Sequence, residues 1–328
     1  MEEQGKFVIS LDFELFWGVR DKRTIDSYGP SLIKVPVILK RMVDLFDLYE
    51  VRATFATVGF LFAKSKKDLV DYSPKLKPRY NDKNLSPYVD SFISVKESAE
   101  DDPYHYAPEM IRFLHSNRNH EVGSHTFSHF YCLEEGQTKE DFERDLQSAI
   151  KIANAQNIKI ESLIFPRNQV NKEYLKLCSD YGIKSYRGAE KIWFNKPEKD
   201  STTTLLKKIA RTLDCYINIS GTHTYSHQEL KSPFPCNIPS SRFFRPYNNK
   251  LKFLEFLKLK RIKRCMTSAA RKKEIYHLWW HPHNLGENTD NNFLILEAIL
   301  KHYQFLNNKY GFESITMTNL ANKLNNIS

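Results

Sequence analysis

The sequence predicts an α/β fold in which the strands run parallel to one another. Short apolar runs alternate with longer stretches in which apolar residues recur at helical spacing. This alternation is typical of strand–helix–strand units, whose successive strands pair in parallel. Neither an internal repeat nor a low-complexity linker interrupts the alternation, so we expect residues 1–328 to form a single domain.

The predicted strands are short runs of apolar and β-branched residues bounded by glycine or by polar clusters. The first, at residues 7–13, is apolar almost throughout, and the second is closed by Gly59. The strands are expected at residues 7–13, 53–58, 121–123, 160–165, 183–186, 275–280 and 314–317.

Helical periodicity places a helix after most of these strands. In the first helix Ile38, Met42 and Phe46 fall on one face, and in a later one Thr138 and Asp141 have the spacing of an N-terminal capping box. The helices are expected at residues 32–49, 107–114, 138–155, 172–181 and 292–306, followed by a terminal helix.

Two long polar stretches depart from the alternation. Residues 64–106 are rich in Lys, Asp and Tyr, and residues 190–246 carry five prolines. Long irregular segments are uncommon in a compact domain and are often functional. We therefore interpret both stretches as insertions into one domain rather than as linkers between two.

Composition and charge exclude several classes of protein. Hydrophobic residues make up 41% and charged residues 27% of the chain, which excludes a disordered or fibrous protein. No run of about 18 uncharged apolar residues occurs, so no transmembrane helix is expected. The 49 Lys and Arg exceed the 39 Asp and Glu, and the net charge of +10 suits an anionic partner without identifying it.

The beginning of the chain and its cysteines predict a cytoplasmic protein. The first six residues lead directly into the first strand and lack the basic start and long apolar core of a secretory signal. The five cysteines are odd in number, far apart in sequence, and form no Cys-x-x-Cys pair. We therefore expect reduced thiols and no cysteine-based zinc site.

The first candidate site residues are Asp12 and Glu14, at the end of the first predicted strand. Residues i and i+2 of a strand point to the same side, so the two carboxylates would lie close together. Their desolvation and mutual repulsion cost free energy that a bound cation would offset. A turn with two solvated acids is the alternative explanation.

A sharper candidate is the pair His125 and His129, which follows the predicted strand at residues 121–123. If this segment forms one helical turn, two imidazoles four residues apart meet on one face. Such ligands suit a divalent metal, most commonly Zn²⁺, although histidine pairs at this spacing also arise by chance. Two histidines and one carboxylate would leave the open metal position that a catalytic site requires.

A third candidate is a group of histidines near the end of a late apolar strand. By alternation His277, Trp279 and His281 share one side of that strand. A histidine at a strand end is a natural general acid or base because its pKa lies near neutrality. The alternative is that Trp279 and Trp280 belong to the core and that the histidines, with His283, cap its edge.

Several arginines after predicted strands are candidates for binding acidic groups. Arg167 follows Pro166 at a strand end, and we expect it either to orient Asp12 or to form an ordinary surface ion pair. Arg187 and Arg245 are weaker candidates that would bind a substrate phosphate. A solvated surface position is the alternative for each of them.

Taken together, these segments resemble the polysaccharide deacetylases of carbohydrate esterase family 4, which share the domain of the nodulation chitooligosaccharide deacetylases. The resemblance rests on four segments that occur in the family's order and span most of the chain. They are 10–14 (SLDFE), 53–59 (ATFATVG), 119–129 (NHEVGSHTFSH) and 280–282 (WHP).

The resemblance implies a distorted (β/α) barrel with about seven parallel strands and a bound divalent metal, with Zn²⁺ as the expected ion. Asp12 would be the general base, with Arg167 orienting it, and His281 would be the general acid that protonates the leaving amine. The metal ligands implied by the resemblance are Glu14, His125 and His129. The expected substrate contacts are Trp280, His283, Arg187 and Arg245.

Two departures from the family pattern accompany the resemblance. Glu14 is one methylene longer than the aspartate that is common at its position, and Pro166 precedes Arg167 where the family usually has arginine first. The long stretch at residues 64–106 also separates the first two segments from the histidine pair. A specialised substrate cleft is therefore expected.

The resemblance implies a hydrolase that removes an N-acyl group, typically N-acetyl, from an amino sugar. A cytoplasmic enzyme meets biosynthetic precursors, so we expect a nucleotide-sugar or a polyprenyl-phosphate-linked sugar from surface polysaccharide biosynthesis. The alternatives are a hydrolase of a non-sugar amide, such as a cyclic imide or ureide, and a catalytically inactive carbohydrate-binding protein. No motif supports nucleic-acid binding.

One basic stretch bears on membrane contact. Between Lys250 and Arg264, charged and bulky apolar residues interleave, as in segments that lie on anionic lipid at the inner membrane surface. The apolar residues do not gather on one helical face, so the pattern favours the alternative of a solvated helix.

Overall fold

The molecule is organised around one parallel β-sheet. The computed structural model describes residues 3–89, 92, 94–195 and 204–326. Every pairing between the strands of this sheet is parallel, which confirms the predicted α/β class. The strands are β1 (Lys6–Phe13), β2 (Ala53–Thr57), β3 (Glu121–Ser124), β4 (Ser162–Leu163), β5 (Ser185–Tyr186), β6 (Cys236–Asn237), β7 (Arg242–Phe243), β8 (Ile275–Trp280) and β9 (Glu313–Ser314).

The sheet curls so that its two edges approach each other. Across the sheet the order is β6-β5-β4-β3-β2-β1-β8-β7, and β9 pairs with β1. The edge strands β6 and β7 are consecutive in the chain, and residues 238–241 connect them. The N–H of Ile238 donates to the carbonyl of Tyr186 at 2.9 Å, and the N–H of Ser241 donates to the carbonyl of His277 at 2.7 Å. The connection thus bridges the gap between β5 and β8, as expected of a distorted barrel.

Helices connect most successive strands and pack their apolar faces against the sheet. The helix predicted at residues 32–49 begins only at Val35, with Pro36 in its first turn, and Leu32 instead ends a separate preceding helix. The Thr138 capping box is confirmed at the start of another. The helices are α1 (Ile25–Leu32), α2 (Val35–Leu48), α3 (Lys66–Tyr72), α4 (Pro108–Ser116), α5 (Lys139–Asn154), α6 (Leu175–Asp180), α7 (Leu205–Tyr216), α8 (His227–Leu230), α9 (Glu255–Lys272), α10 (Thr289–Tyr310) and α11 (Met317–Leu324).

The strand β1 lies at the centre of the core. All of its residues are buried, and it pairs with β2, β8 and β9. The register places Asp12 beside Ala56 of β2, and Leu11 beside Trp280 of β8. Because the strands are parallel, their C-terminal ends meet along one edge, which is where ligands bind in α/β folds. We call this edge the carboxyl edge of the sheet.

Residues 64–106 are attached to the body of the protein by buried contacts. Besides α3 they contain a short 3-10 helix at Lys83–Leu85. The indole N–H of Trp17 donates to the carbonyl of His105 at 2.8 Å, and Tyr106 is buried in the main core. The segment therefore closes one side of the molecule by packing rather than hanging from it as a free loop.

Residues 190–246 differ from the expected insertion because part of this segment belongs to the sheet. It contributes β6 and β7 as well as α7 and α8. Each of these two strands has only two residues, so neither produces a recognisable periodicity in the sequence. Among the described residues the barrel consequently has eight strands along its path, where about seven were predicted.

Two other predicted segments keep their positions but change in detail. The helix expected at residues 172–181 begins as a 3-10 turn at Lys172–Tyr174 before α6, and Gly182 ends it with a φ of 84°. The basic stretch near residue 250 begins as a 3-10 helix at Asn249–Leu254 and continues into α9. Within the described ranges, no helix combines the length and the apolar character needed to cross a bilayer.

Candidate active site

The two carboxylates at the end of β1 lie side by side at the carboxyl edge. Asp12 and Glu14 are both buried, with 3% of each residue exposed. The chain turns sharply after them, since Leu15 has a φ of 47°. The longer side chain of Glu14 lies over Gly18, where a β-carbon would come within 1.9 Å of its Cδ. Glycine at this position therefore makes room for the extra methylene.

The histidine pair follows β3 and faces Glu14. The Nε2 atoms of His125 and His129 lie 3.3 Å and 3.1 Å from Oε2 of Glu14. The segment does not form the helical turn that was considered for it; it is a loop in which Thr126 and His129 have φ angles of 62° and 57°. These left-handed residues turn the backbone so that both imidazoles meet the carboxylate.

Glu14, His125 and His129 form a donor set that suits a divalent metal. One ligand atom from each lies within 4.8 Å of the others, and all three residues are buried. Nδ1 of His125 lies 2.8 Å from the carbonyl oxygen of Ile164, a geometry in which Nδ1–H donates and Nε2 keeps its lone pair. Burial lowers the pKa of His129 to about 4, so its imidazole is neutral at pH 7, as a metal ligand must be.

The histidine loop is held in place by Asp145 of α5. One carboxylate oxygen accepts from the N–H of Phe127 at 2.7 Å, and the other accepts from the N–H of Ser128 at 3.1 Å and from its hydroxyl. Burial raises the pKa of Asp145 to about 6, although its hydrogen bonds oppose the shift. The sequence analysis did not identify Asp145. Its position between Phe142 and Ala149, on the apolar face of a predicted helix, could have indicated a buried acid with a structural role.

Arg187 is the basic partner of Asp12. Its two terminal nitrogens each lie 2.7 Å from one oxygen of the Asp12 carboxylate, in a bidentate ion pair. Burial acts to raise the pKa of Asp12, but Arg187 and the nearby histidines outweigh it and hold the pKa below its usual range. Arg187 is fully buried, with its guanidinium 4.0 Å from the ring centre of Trp279. The expectation that Arg187 contacts substrate is therefore wrong.

The expected pairing of Arg167 with Asp12 is also wrong. Arg167 forms an ion pair with Asp21 and lies 4.3 Å from the ring centre of Tyr131. It occupies a tight turn after β4 in which Arg167 itself has a φ of 55°. The next residue, Asn168, instead turns inward and accepts a hydrogen bond from Arg187 at 3.1 Å.

His281 follows β8 and faces both carboxylates. Its Nε2 lies 3.7 Å from Oδ2 of Asp12 and 3.5 Å from Oε1 of Glu14. Its Nδ1 lies 3.0 Å from Oδ1 of Asn284, which orients the ring. Asn284 thus takes the position of an orienting acceptor that sequence analysis did not identify. With 23% of its side chain exposed, His281 is the member of this group that borders solvent.

Two further substrate-contact predictions on this segment are corrected. Trp280 is fully buried and packs against Phe244 in the core, since alternation along β8 turns it away from the site. Its neighbour Trp279 faces the site instead. His283 is 4% exposed and lies edge-on against Tyr28, and burial lowers its pKa to about 3. Neither Trp280 nor His283 is therefore open to a substrate.

A cleft of about 310 Å³ opens from His281 and Trp279 toward β7 and α7. Arg245 lines it, as its predicted role requires. Burial raises the pKa of one lining acid, Glu190, to about 7, so this group is partly protonated near neutrality. The other lining acid, Asp214, forms ion pairs with arginines. Among the described residues, five basic side chains line the cleft: Lys22, Arg167, Arg211, Arg242 and Arg245.

Part of the chain matches a known family in sequence. Residues 24–186 match the family described as polysaccharide deacetylase. This range includes His125 and His129. Asp12, Glu14 and His281 lie outside it. No curated protein matches the chain significantly.

Several solved structures share the fold. A protein described as a polysaccharide deacetylase from Mycobacterium smegmatis is 13% identical, with a TM-score of 0.60 over 100% of this chain and 93% of that one. A protein from Pseudomonas aeruginosa PAO1 that is also described as a polysaccharide deacetylase is 11% identical, with a TM-score of 0.54 over 96% of this chain and 89% of that one. PuuE allantoinase is 9% identical, with a TM-score of 0.53 over 96% and 88%. These similarities confirm the distorted (β/α) barrel but do not identify a substrate.

Substitution of Asp145 should loosen the histidine loop. Asp145→Asn replaces one acceptor oxygen by an NH₂ group, which cannot accept from Phe127 or Ser128. We expect a loss of about 1–3 kcal/mol in the free energy of unfolding, measured by urea denaturation, together with weaker binding of Zn²⁺. Glu140→Gln, at an exposed position of the same helix, is the control and should change neither quantity by as much. Unchanged stability in Asp145→Asn would contradict the anchoring role.

A double-mutant cycle should identify the basic partner of Asp12. Asp12→Asn and Arg187→Gln should couple by about 0.5–3 kcal/mol in the free energy of unfolding, because both members of one buried ion pair change. Asp12→Asn and Arg167→Gln should be additive within about 0.5 kcal/mol, since Arg167 pairs with Asp21. Coupling of Asp12 to Arg167 instead of Arg187 would reverse the assignment.

Proposed function

Because the chain belongs to the polysaccharide deacetylase family, we propose that it is a metal-dependent hydrolase that removes an N-acyl group, typically N-acetyl, from an amino sugar. The observation that carries the proposal is the meeting of three buried metal-type ligands with Asp12 and His281 at one edge of the sheet. A catalytically inactive binding protein would not require this combination of base, ligands and acid.

The donor set fits a divalent cation such as Zn²⁺. Glu14, His125 and His129 would hold it, with one negative charge and two neutral imidazoles as ligands. A cation would also offset the cost of burying the Glu14 carboxylate. When bound, the ion would supply a Lewis acid that polarises the acyl carbonyl. The extra methylene of Glu14 keeps its carboxylate in reach of both rings because Gly18 leaves the space free.

Asp12 is suited to accept a proton from the attacking water. Its lowered pKa keeps it ionised at neutral pH, and the bidentate contact with Arg187 fixes its orientation. Each oxygen that accepts from Arg187 retains a second lone pair toward the site. Asp12 would therefore act as the general base, and Arg187 would position it.

His281 is suited to protonate the leaving amine. Its Nδ1 is engaged by Asn284, so Nε2 is the nitrogen that faces the reacting groups. Water adds to the acyl carbon, the C–N bond breaks, and the amine takes the proton that His281 delivers. The products are the free amino sugar and a carboxylate such as acetate.

The basic cleft beside His281 supports a substrate that carries an anionic group. Five basic side chains line it against two acids, and burial keeps one of those acids partly protonated. A phosphate next to the sugar would match this charge. We therefore propose a biosynthetic precursor, either a nucleotide-sugar or a lipid-linked sugar, as the substrate.

Two substitutions should separate metal binding from proton transfer. Asp12→Asn should retain the metal but lose at least about a hundredfold in kcat, because it removes the general base. His129→Ala should lose the metal itself, measured as zinc content after dialysis. Exposed Asp26 and His115 supply the controls, Asp26→Asn and His115→Ala, which should behave like the natural protein.

The metal requirement is tested directly on the same preparations. EDTA should abolish turnover, and added Zn²⁺ should restore it. Full activity of Asp12→Asn would refute the assigned base. The metal-dependent mechanism would be refuted if the purified protein bound no stoichiometric divalent ion and EDTA left its activity unchanged.

A substrate panel should distinguish sugar from non-sugar amides. We expect loss of one acyl group, detected by mass spectrometry, from phosphate-bearing N-acetylhexosamines and none from cyclic ureides or imides. Arg245→Gln should raise KM for the phosphorylated sugars by roughly tenfold, because it removes one charge-assisted contact, and should leave kcat nearly unchanged. Turnover of cyclic ureides alone would favour the non-sugar alternative.

A further inference from the structure

The outer side of α7 carries an apolar surface that faces solvent. Three members, Leu205, Ile209 and Leu213, follow each other at intervals of four residues and share one helical face. Leu205 is 73% exposed and Ile209 is 46% exposed. Contiguous exposed apolar surface of this kind marks an interaction site. We call it the α7 stripe; it comprises Leu205, Leu206, Ile209 and Leu213.

The helix α7 is attached to the protein through its polar face, the reverse of an ordinary surface helix. Asp214 is buried and forms ion pairs with Arg242 at 3.2 Å and Arg261 at 2.9 Å. Arg211 donates from Nε to the carbonyl of Phe194 at 2.7 Å. An amphipathic helix in a water-soluble protein normally buries its apolar side instead. Packing among the residues that the structure describes therefore does not account for the α7 stripe.

Within residues 204–221, the charges around the α7 stripe match an anionic lipid surface. Lys207 and Lys208 lie in the same helix, and the only acid in residues 204–221 is the buried Asp214. Trp193 is half-exposed in a short 3-10 helix (Trp193–Asn195) that packs against α7, and it adds an amphipathic aromatic ring. Apolar residues flanked by lysines, without exposed acids, are typical of helices that lie in a bilayer interface.

The same helix forms a wall of the catalytic cleft. Arg211, Asp214 and Cys215 line the cleft from α7, and it is also lined by Trp279 of β8 and by His281, which follows β8. The α7 stripe is thus on the opposite side of a single helix from the basic cleft. A molecule that enters the cleft beside α7 while anchored in a bilayer would bring its headgroup, not its chain, to the catalytic residues.

We propose that α7 docks on an anionic bilayer and that the substrate is an N-acyl amino sugar linked through phosphate to a membrane lipid. The basic side chains of the cleft bind the phosphate, and the α7 stripe enters the acyl-chain boundary. The proposal selects the lipid-linked alternative over the nucleotide-linked one. Its chemical part rests on the proposed deacylase function, whereas the docking part does not.

Vesicle flotation tests the docking part. The protein should float with vesicles of phosphatidylcholine and phosphatidylglycerol and much less with phosphatidylcholine alone. The triple variant Leu205→Gln, Ile209→Gln, Leu213→Gln should bind the anionic vesicles at least about tenfold more weakly, because the apolar area that enters the interface is lost. The matched control, Val37→Gln, Leu48→Gln, Leu294→Gln, changes three other exposed apolar residues, which together are more exposed than the three in α7, and should bind like the natural protein.

Several results of this experiment would overturn the docking proposal. The natural protein could fail to bind anionic vesicles, the triple variant could bind them as strongly as the natural protein, or the control variant could lose as much binding as the triple variant. Light scattering provides a further test: a natural dimer that becomes a monomer only in the α7 triple variant would assign the stripe to a second copy of this chain. Unchanged circular dichroism and melting temperature would verify that both variants fold.

An activity comparison tests the choice of substrate. Lipid-phosphate-linked N-acetylhexosamine is presented in vesicles, and the corresponding short-chain phosphodiester is presented in solution. The α7 triple variant should lose roughly tenfold or more in rate on the vesicle substrate and keep its rate on the soluble one. If the α7 triple variant hydrolysed the vesicle substrate as fast as the natural protein does, the lipid-linked assignment would be overturned. Failure of the deacylase function is distinguishable, since neither substrate would then be hydrolysed while flotation would be unaffected.

Discussion

The burial of Asp12 and Glu14 at the end of β1 is the constraint on which the site depends. A carboxylate taken out of water costs several kcal/mol unless charged or hydrogen-bonding groups replace the water. Arg187, which follows β5, supplies the charged partner of Asp12. The histidine loop after β3 supplies the partners of Glu14. His281, after β8, faces both acids. Three other strand ends are therefore tied to β1 by electrostatics as well as by the sheet.

Sequence reasoning located the parts of the site that depend on spacing within one segment. The Asp12–Glu14 pair and the His125–His129 pair are local patterns: both histidines contact Glu14, and His281 faces both carboxylates. The partner of Asp12 was assigned wrongly because that choice depends on a backbone turn. A left-handed residue after Pro166 directs Arg167 to Asp21, which leaves Asp12 to Arg187 from a different strand end.

The parallel α/β class was predictable because β1 and β8 are long enough to show apolar runs, and α5 and α10 show helical periodicity. The strands β6 and β7 were not predictable, since two-residue strands carry no period and are defined only by their neighbours. Alternation along β8 did contain the information that Trp279, not Trp280, faces the site. Applying that pattern consistently would have corrected one substrate-contact prediction.

The close approach of Gly18 to Glu14 couples two positions that would otherwise seem independent. Any β-carbon at residue 18 would occupy the space of the Glu14 carboxyl group. A shorter aspartate at position 14 would withdraw from that space and relax the demand for glycine. Among divergent chains with this barrel, the length of the metal-type carboxylate and the size of the residue four positions later should therefore covary, which provides an evolutionary signature that can be read from aligned sequences alone.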